Sequence, residues 1–288
     1  MPKNKIPVNT IDNNSTQGIA IDTFSIKKSE FRTAQQYDDA TQSHRDEGHT
    51  FHIVQNGTVY IEIDFQKYKI VAPAIVYMHP NQVHRMMDIR DMTVCSLAIT
   101  NDHLNIPYLK YLEEIAPAKP LILMPKEYKT VNELSKFCLN FSKENDNRLN
   151  YSLFKDSCNT LVAYIISIFL DQEKPSNKLS RMELVTKSFQ QLLETNYCTT
   201  KRAAEYAKLL SISTHYLNEC LKSTTGSTVS QRIQDRVILE AKRLLYYTDK
   251  SVKEIAFELG YDDYPYFSRL FTKATGLSAQ NFRRKRYD

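Results

Sequence analysis

The chain has 288 residues, 42% hydrophobic and 25% charged, with 38 Lys/Arg against 33 Asp/Glu and a net charge of +5. That is roughly twice the ~150-residue domain prior and leaves room for two ordinary globular cores. Five scattered cysteines, odd in number and never in a CxxC pair, argue against a disulfide framework or a zinc site.

No apolar run approaches the ~20 residues of a membrane span, and the polar start carries no signal-peptide core, so a cytoplasmic protein with no membrane partner is expected. The charge is uneven. From residue 181 onward there are 18 Lys/Arg against 12 Asp/Glu, a balance of +6, whereas residues 1–180 balance at −1. A basic segment behind a neutral body points to a nucleic-acid partner for the last third.

Residues 22–100 have the texture of strands. Asn56-Gly57 predicts a hairpin turn, because a type I′ turn needs positive φ at both central positions. Beyond it Val59, Ile61, Ile63 and Phe65 alternate with Thr58, Tyr60, Glu62 and Asp64, the period of a half-buried strand. Short runs at "YKIV", "AIVYM" and "TVCSLAI" complete a small barrel or sandwich. Five of seven histidines, His44, His49, His52, His79 and His84, fall in this region. We expect His44, His52, Tyr60 and His84 to line a pocket for a small-molecule effector of unknown identity. His49 and His79 read as turn or surface residues. No metal and no cofactor is expected.

Helical texture starts near 105. In "SLFKDSCNTLVAYIISIFL", Phe154, Cys158, Leu161, Ile165 and Ile168 make one apolar stripe, and Val162, Ile166 and Phe169 a second. A helix apolar on two sides buries both. The partners are its own core and, for a homodimer formed around Phe154–Ile168, a second copy. The polar stretch 171–181, with Pro, Ser and Asn, reads as a linker. The domains expected are 1–172, a linker at 173–180, and 181–288.

Beyond the linker one unit occurs twice. "AEYAKLLSISTHYLNECLKSTTG" aligns with "KEIAFELGYDDYPYFSRLFTKATG", offset by 49 residues before the turn and 50 after it. In the second copy Gly260 sits where the first helix stops, Asp262 or Asp263 can cap the next helix, and Pro265 falls in its first turn. That is a helix-turn-helix. In the first copy Ser213 or Thr214 is the cap, and Gly226 and Gly276 close the two units. Between them an amphipathic helix carries Val229, Ile233, Val237, Ala241, Leu244 and Leu245 on one face, an all-α arrangement. A connector of that length spans roughly 30 Å, against the ~34 Å turn of B-DNA, so the two units suit successive major grooves.

On "YLNECLKSTTGSTVSQRI", "EAKRLL" and "SVKEIAFELGYDDYPYFSRLFTKATGLSAQNFRR", residues 197–286 resemble the DNA-binding domain of AraC/XylS-type transcription regulators. The resemblance implies an α+β multidomain protein: a cupin-like β-barrel with appended helices in front, and an all-α domain with two helix-turn-helix units behind. It implies a sequence-specific regulator of double-stranded promoter DNA, effector-responsive, with RNA polymerase as a further candidate partner. Side chains pointing away from the apolar stripes are the DNA-contact candidates. In the first unit these are Ser213, Thr214, His215, Asn218 and Lys222; in the second, Asp263, Tyr264, Pro265, Tyr266, Arg269 and Lys273. Arg269 is the best candidate for base readout, since Arg bonds guanine bidentately. Glu219 stands where family members place a polar or basic reader. Thr228 and Ser278 resemble the family's phosphate-clamping positions, and Gln231, Asn281 and the tail Arg283–Arg286 add sequence-independent attraction.

Enzymatic cupins present His-x-His, a Glu a few residues on, and a distant His. Here His44 can stand as the first His and His84 in a similar second motif, but His49 or His52 is displaced, "IVQNG" supplies no Glu, and Glu62 comes too late. No other catalytic signature is present, so a non-enzyme is expected. The alternatives are a metal-dependent cupin enzyme fused to a DNA-binding domain, or a ligand-independent regulator whose barrel only dimerises.

Overall fold

Apolar alternation drives the first third of the chain into strands. They are β1 (Val8–Asn9), β2 (Ile19–Ile26), β3 (Arg45–Asp46), β4 (His49–Ile63), β5 (Gln66–Val71), β6 (Ala74–Met78), β7 (His84–Asp88) and β8 (Met92–Ile99), with β9 (Leu121–Ile122) added later. The computed structural model describes residues 5–11, 18–27, 41–88, 90–115, 119–142, 149–173 and 180–284. Two compact units result, residues 7–175 and residues 176–288, the latter grouped with the first six. Most of the expected linker, residues 174–179, lies outside the described residues.

In the first unit the strand order is β2-β8-β4-β6-β9, and β5 and β7 also pair with β4. Among the described strands this path does not return on itself. The unit is sheet-rich, as expected, but the barrel is not closed.

The Asn56-Gly57 hairpin does not form. β4 runs straight through it for 15 residues, with a bulge between Val54 and Asn56 in the pairing to β8. Gly57 has φ +85, and a Cβ there would lie 2.1 Å from the Asp91 carbonyl oxygen, so the glycine serves a close backbone approach. The turn comes eight residues later. Asp64 and Phe65 take φ 47 and 68, and Ile63 pairs with Gln66 across them, as a two-residue primed turn requires.

The bulge also changes which side chains face which way. Before it, Phe51 and Ile53 join the core shared with the helices, while Thr50, His52 and Val54 face a cavity. After it, Val59 and Ile61 face that cavity. One extra residue inverts a period-two pattern.

Helices α1 (Ile106–Ile115), α2 (Pro125–Ser142) and α3 (Asn150–Glu173) contribute to one core with the opposite face of the sheet. α3 is long and apolar enough to cross a membrane by composition, with a mean hydropathy of 1.4. Both its stripes are spent inside this unit: Phe154, Cys158, Leu161, Val162, Ile165, Ile166, Ile168 and Phe169 are all buried. The expected dimer seam through Phe154–Ile168 is therefore corrected, because the helices and sheet of the same chain already cover it.

The second unit is helical: α4 (Arg181–Asn196), α5 (Ala203–Leu209), α6 (Thr214–Thr225), α7 (Val229–Tyr247), α8 (Val252–Glu258), α9 (Tyr264–Thr275) and α10 (Ala279–Arg284). Reciprocal side-chain caps start several of them: Ser180 with Glu183 on α4, Thr228 with Gln231 on α7, and Ser251 with Glu254 on α8. Phe189 and Leu193 of α4 pack with Tyr206, Leu217, Leu221, Val229 and Ile233 in the core of the first repeat. The expected apolar face of α7 is buried along its length.

Candidate DNA-binding surface and ligand cavity

The two repeats, α5–α6 and α8–α9, share their backbone chemistry. Ile212 N–H donates to Ala207 O at 3.0 Å, and Tyr261 N–H to Ala256 O at 2.9 Å, each wrapping a helix end. The left-handed residue before that bond is Gly260 in the second copy (φ +78) and Ser211 in the first (φ 56). Ser213 accepts from Tyr216 N–H at 3.1 Å, and Asp263 from Tyr266 N–H at 3.0 Å, so each restarting helix is capped alike. Gly226 and Gly276 end α6 and α9 with φ 72 and 74. A Cβ on Gly260 would sit 1.9 Å from the Cys198 carbonyl oxygen. The second turn thus rests against the loop after α4, where the Lys201 ammonium bonds Tyr197 O and lies 5.0 Å from the Tyr261 ring centre.

These caps divide the DNA-contact candidates into two groups. Ser213, Asp263, Thr228, Gln231 and Ser278 use their side chains to cap the starts of helices. Asn218 is half-buried, its amide on Thr214 O and its oxygen accepting from Val229 N–H. The second group points to solvent: His215 and Lys222 on α6, Pro265, Tyr266, Arg269 and Lys273 on α9, and Asn281 on α10, with Thr214 and Tyr264 half-buried beside them. His215 faces Glu219 at 3.5 Å on the same helix. Arg269 and Lys273 have no hydrogen bond or ion pair among the described residues. Their charge is free for an anion. Arg283 differs from the expected basic tail: its guanidinium bonds the carbonyls of Leu245 and Lys250, which ties α10 to the end of α7. Lys285 and Arg286 lie outside the described residues.

Behind this surface a charged chain is buried on α7. Arg236 bonds Glu194 at 2.7 Å and faces Glu240 at 3.4 Å, Arg243 bonds Glu240 at 2.8 Å, and the Arg236 guanidinium lies 3.9 Å from the Tyr197 ring centre. Sequence reading missed it, because charges inside an amphipathic helix look like its solvated face.

In the sheet-rich unit a cavity of about 460 Å³ opens between the strands. Its walls are mostly apolar, among them Phe24, Val54, Val59, Ile61, Val76, Met92 and Val94. One end is polar, formed by His44, Asp46, Glu47, Thr50, His52, His84 and Ser96. The segment around β1 crosses that end: Asn9, Thr10 and Ile11 line the cavity, and Ile11 N–H donates to Glu47 Oε2 at 2.8 Å. Three of the four expected pocket residues, His44, His52 and His84, are there. Tyr60 is not. Beyond the bulge it points away from the cavity, with the Arg90 guanidinium 4.4 Å from its ring centre. Burial lowers the pKa of His52 and pushes that of His84 down to about 3, so both rings are neutral at physiological pH.

His49 and His79 are buried, not surface residues. His49 Nδ1 accepts from the Tyr77 hydroxyl at 2.7 Å, and its Nε2–H donates to Asn101 Oδ1 at 2.9 Å. His79 Nε2 meets Glu113 Oε1 at 2.9 Å. Burial, with the nearby His79, takes the His49 pKa to about 4.

A sheet-rich ligand-binding unit ahead of two capped helix-turn-helix repeats defines a ligand-binding DNA-recognition protein. Residues 27–100 match the family of AraC-like ligand binding domains, and residues 206–285 match a helix-turn-helix domain family. The chain is similar to the uncharacterized HTH-type transcriptional regulator YfiF of Bacillus subtilis. That pair is 22% identical over 240 residues, which cover 81% of this chain and 75% of the relative. It is likewise 22% identical to the HTH-type transcriptional activator RhaS of an Enterobacter species, over 86% of this chain and 89% of that one. The ToxT structure from Vibrio cholerae aligns with 93% of this chain and 98% of its own at 13% identity, with a TM-score of 0.41. The chain belongs to the AraC family and is a DNA-binding transcription regulator with a ligand-binding domain.

Proposed function

We propose that α9 and α6 are the two base-reading helices, that α9 is the stronger reader, and that a small molecule in the 460 Å³ cavity modulates their engagement with a promoter site. The observation that carries this reading is the pair of exposed, unpartnered cations Arg269 and Lys273 on the outer face of α9. α6 presents Lys222 but ties His215 to Glu219, so its electrostatic attraction is weaker. Arg269→Ala weakens binding to a selected operator by about 1–3 kcal/mol, roughly 5- to 150-fold, and relaxes preference at one base pair. Unchanged affinity and unchanged specificity in a gel-shift series would remove Arg269 from the interface.

The effector half of the reading rests on the mostly apolar cavity with one polar end, which suits a compact amphipathic molecule. Thermal-shift screening tests it, since a ligand of the native state raises the melting temperature. Pairing of two copies belongs to the same proposal, with Ile106, Tyr111, Phe137, Tyr151 and Leu153 the large exposed apolar side chains of α1–α3 available for it. Sedimentation of the full chain tests that. Action in the cytoplasm, and contact with RNA polymerase at the promoter, complete the scheme.

A further inference from the structure

The polar end of the cavity holds a cluster that small-molecule binding does not require. His44 and His84 are cross-strand partners, and their backbones exchange two hydrogen bonds of 3.0 Å. Their imidazoles are fixed side by side, with ring centres 4.4 Å apart. Asp46 lies two residues after His44, on the same side of the extended segment. Its two carboxylate oxygens face one imidazole each: Oδ1 is 3.8 Å from His44 Nε2, and Oδ2 is 3.7 Å from His84 Nε2. Both gaps are too long for a hydrogen bond. Asp46 Oδ2 and His84 Nδ1 are buried with no hydrogen-bond partner, as is the Thr50 hydroxyl on the same cavity wall.

Asp46 is half-buried, and a carboxylate oxygen shut away from water without a donor is costly unless something cationic sits beside it. One ligand atom from each of His44, Asp46 and His84 lies within 4.8 Å of the others. The separations of 3.8 and 3.7 Å, one to each carboxylate oxygen, are somewhat wider than the ~3.4 Å ligand–ligand edge of a tetrahedral ion with bonds of about 2.1 Å. His44 Nδ1 lies 2.9 Å from the Gln42 carbonyl, to which it donates. That bond leaves Nε2 as the lone-pair nitrogen and aims it at the cluster, the second-shell arrangement usual for a metal-bound imidazole. We infer that His44, Asp46 and His84 hold one divalent transition-metal ion of the zinc class, with its open coordination position facing the cavity. The unpartnered Thr50 hydroxyl offers a hydrogen bond to whatever donor, water or effector, completes the shell. The inference goes beyond the DNA-binding reading and uses none of its contacts, so it is tested without DNA.

The test uses the full chain stripped with a chelator and titrated with Co²⁺, whose visible d–d bands report low-symmetry coordination by nitrogen and oxygen. One ion per chain is expected, displaced by Zn²⁺. Asp46→Asn and His84→Gln, each checked for native circular dichroism, weaken binding at least 10- to 100-fold. His44→Gln provides a third variant should one of these fail to fold. His49→Gln, in the separate buried network with Tyr77 and Asn101, leaves the bands intact. An absence of bands in the wild-type chain would overturn the inference. So would bands that persist in the folded Asp46→Asn and His84→Gln variants, or bands lost equally in His49→Gln.

Discussion

Gly260 and Ser211 occupy the same place in the two repeats, and the difference between them has measurable consequences. Both sit in the left-handed region, with φ 78 and 56, but only glycine is there without a Cβ penalty. Ser211 is exposed, so Ser211→Gly should stabilise the helical unit by up to about 1 kcal/mol in denaturant unfolding. Gly260→Ala acts the other way and more strongly. It adds strain at positive φ and places a methyl group 1.9 Å from the Cys198 carbonyl. A loss of more than about 2 kcal/mol is expected. A near-neutral Gly260→Ala would show that the loop after α4 gives way easily.

At the scale of the element, α7 is held by charge as well as by its apolar face. Glu240 is buried between Arg236 and Arg243. Glu240→Ala leaves two guanidiniums in a dry site with one carboxylate lost, at a cost of about 3–5 kcal/mol. Replacing Leu239, half-buried on the same helix, with Ala should cost less, and urea unfolding of the two variants compares them directly. Strand β4 makes the complementary point. Its bulge lets one strand serve the cavity with Thr50 and His52 on one side and Val59 and Ile61 on the other. Gly57→Ala would meet the Asp91 carbonyl, which predicts loss of sheet stability and of cavity shape together.

For the molecule as a whole, acid sensitivity follows from buried imidazoles, His49 together with His52 and His84. The folded pKa of His49, about 4, lies below the 6.5 of an exposed imidazole, so the unfolded chain binds more protons between those values. Stability is therefore full above pH 6.5 and declines as pH falls toward 4, by at most about 3 kcal/mol from this group. Glu113 acts in the same direction at lower pH: burial raises its pKa, but the His79 hydrogen bond and charge more than offset that, and the carboxyl ends below its ordinary value. Unfolding of the sheet-rich unit at pH 7, 6 and 5 should show the decline, and His49→Gln should make it shallower, the buried His52 and His84 supplying the remainder. An equal slope in both proteins would assign the acid sensitivity elsewhere.

Sequence alone determined the helical unit, because its signals are local. A stop, a cap and a restart within six residues at Gly260–Pro265, repeated fifty residues earlier, specify a helix-turn-helix without distant partners. The outward positions of Arg269 and Lys273 followed from the 3.6-residue period. In the sheet the same reasoning placed His44, His52 and His84 but missed Asp46 and misplaced Tyr60. A single bulged residue inverts every side chain beyond it, and no local pattern reports a bulge. Only the tertiary structure decided that α3 spends both apolar stripes on its own core, and that Asn56-Gly57 bends a strand instead of ending it. It alone brought residues 44, 46 and 84 within 4.8 Å. Helix caps are contacts between near neighbours in the chain; cross-strand pairing joins residues forty apart, and only the folded sheet fixes which ones meet.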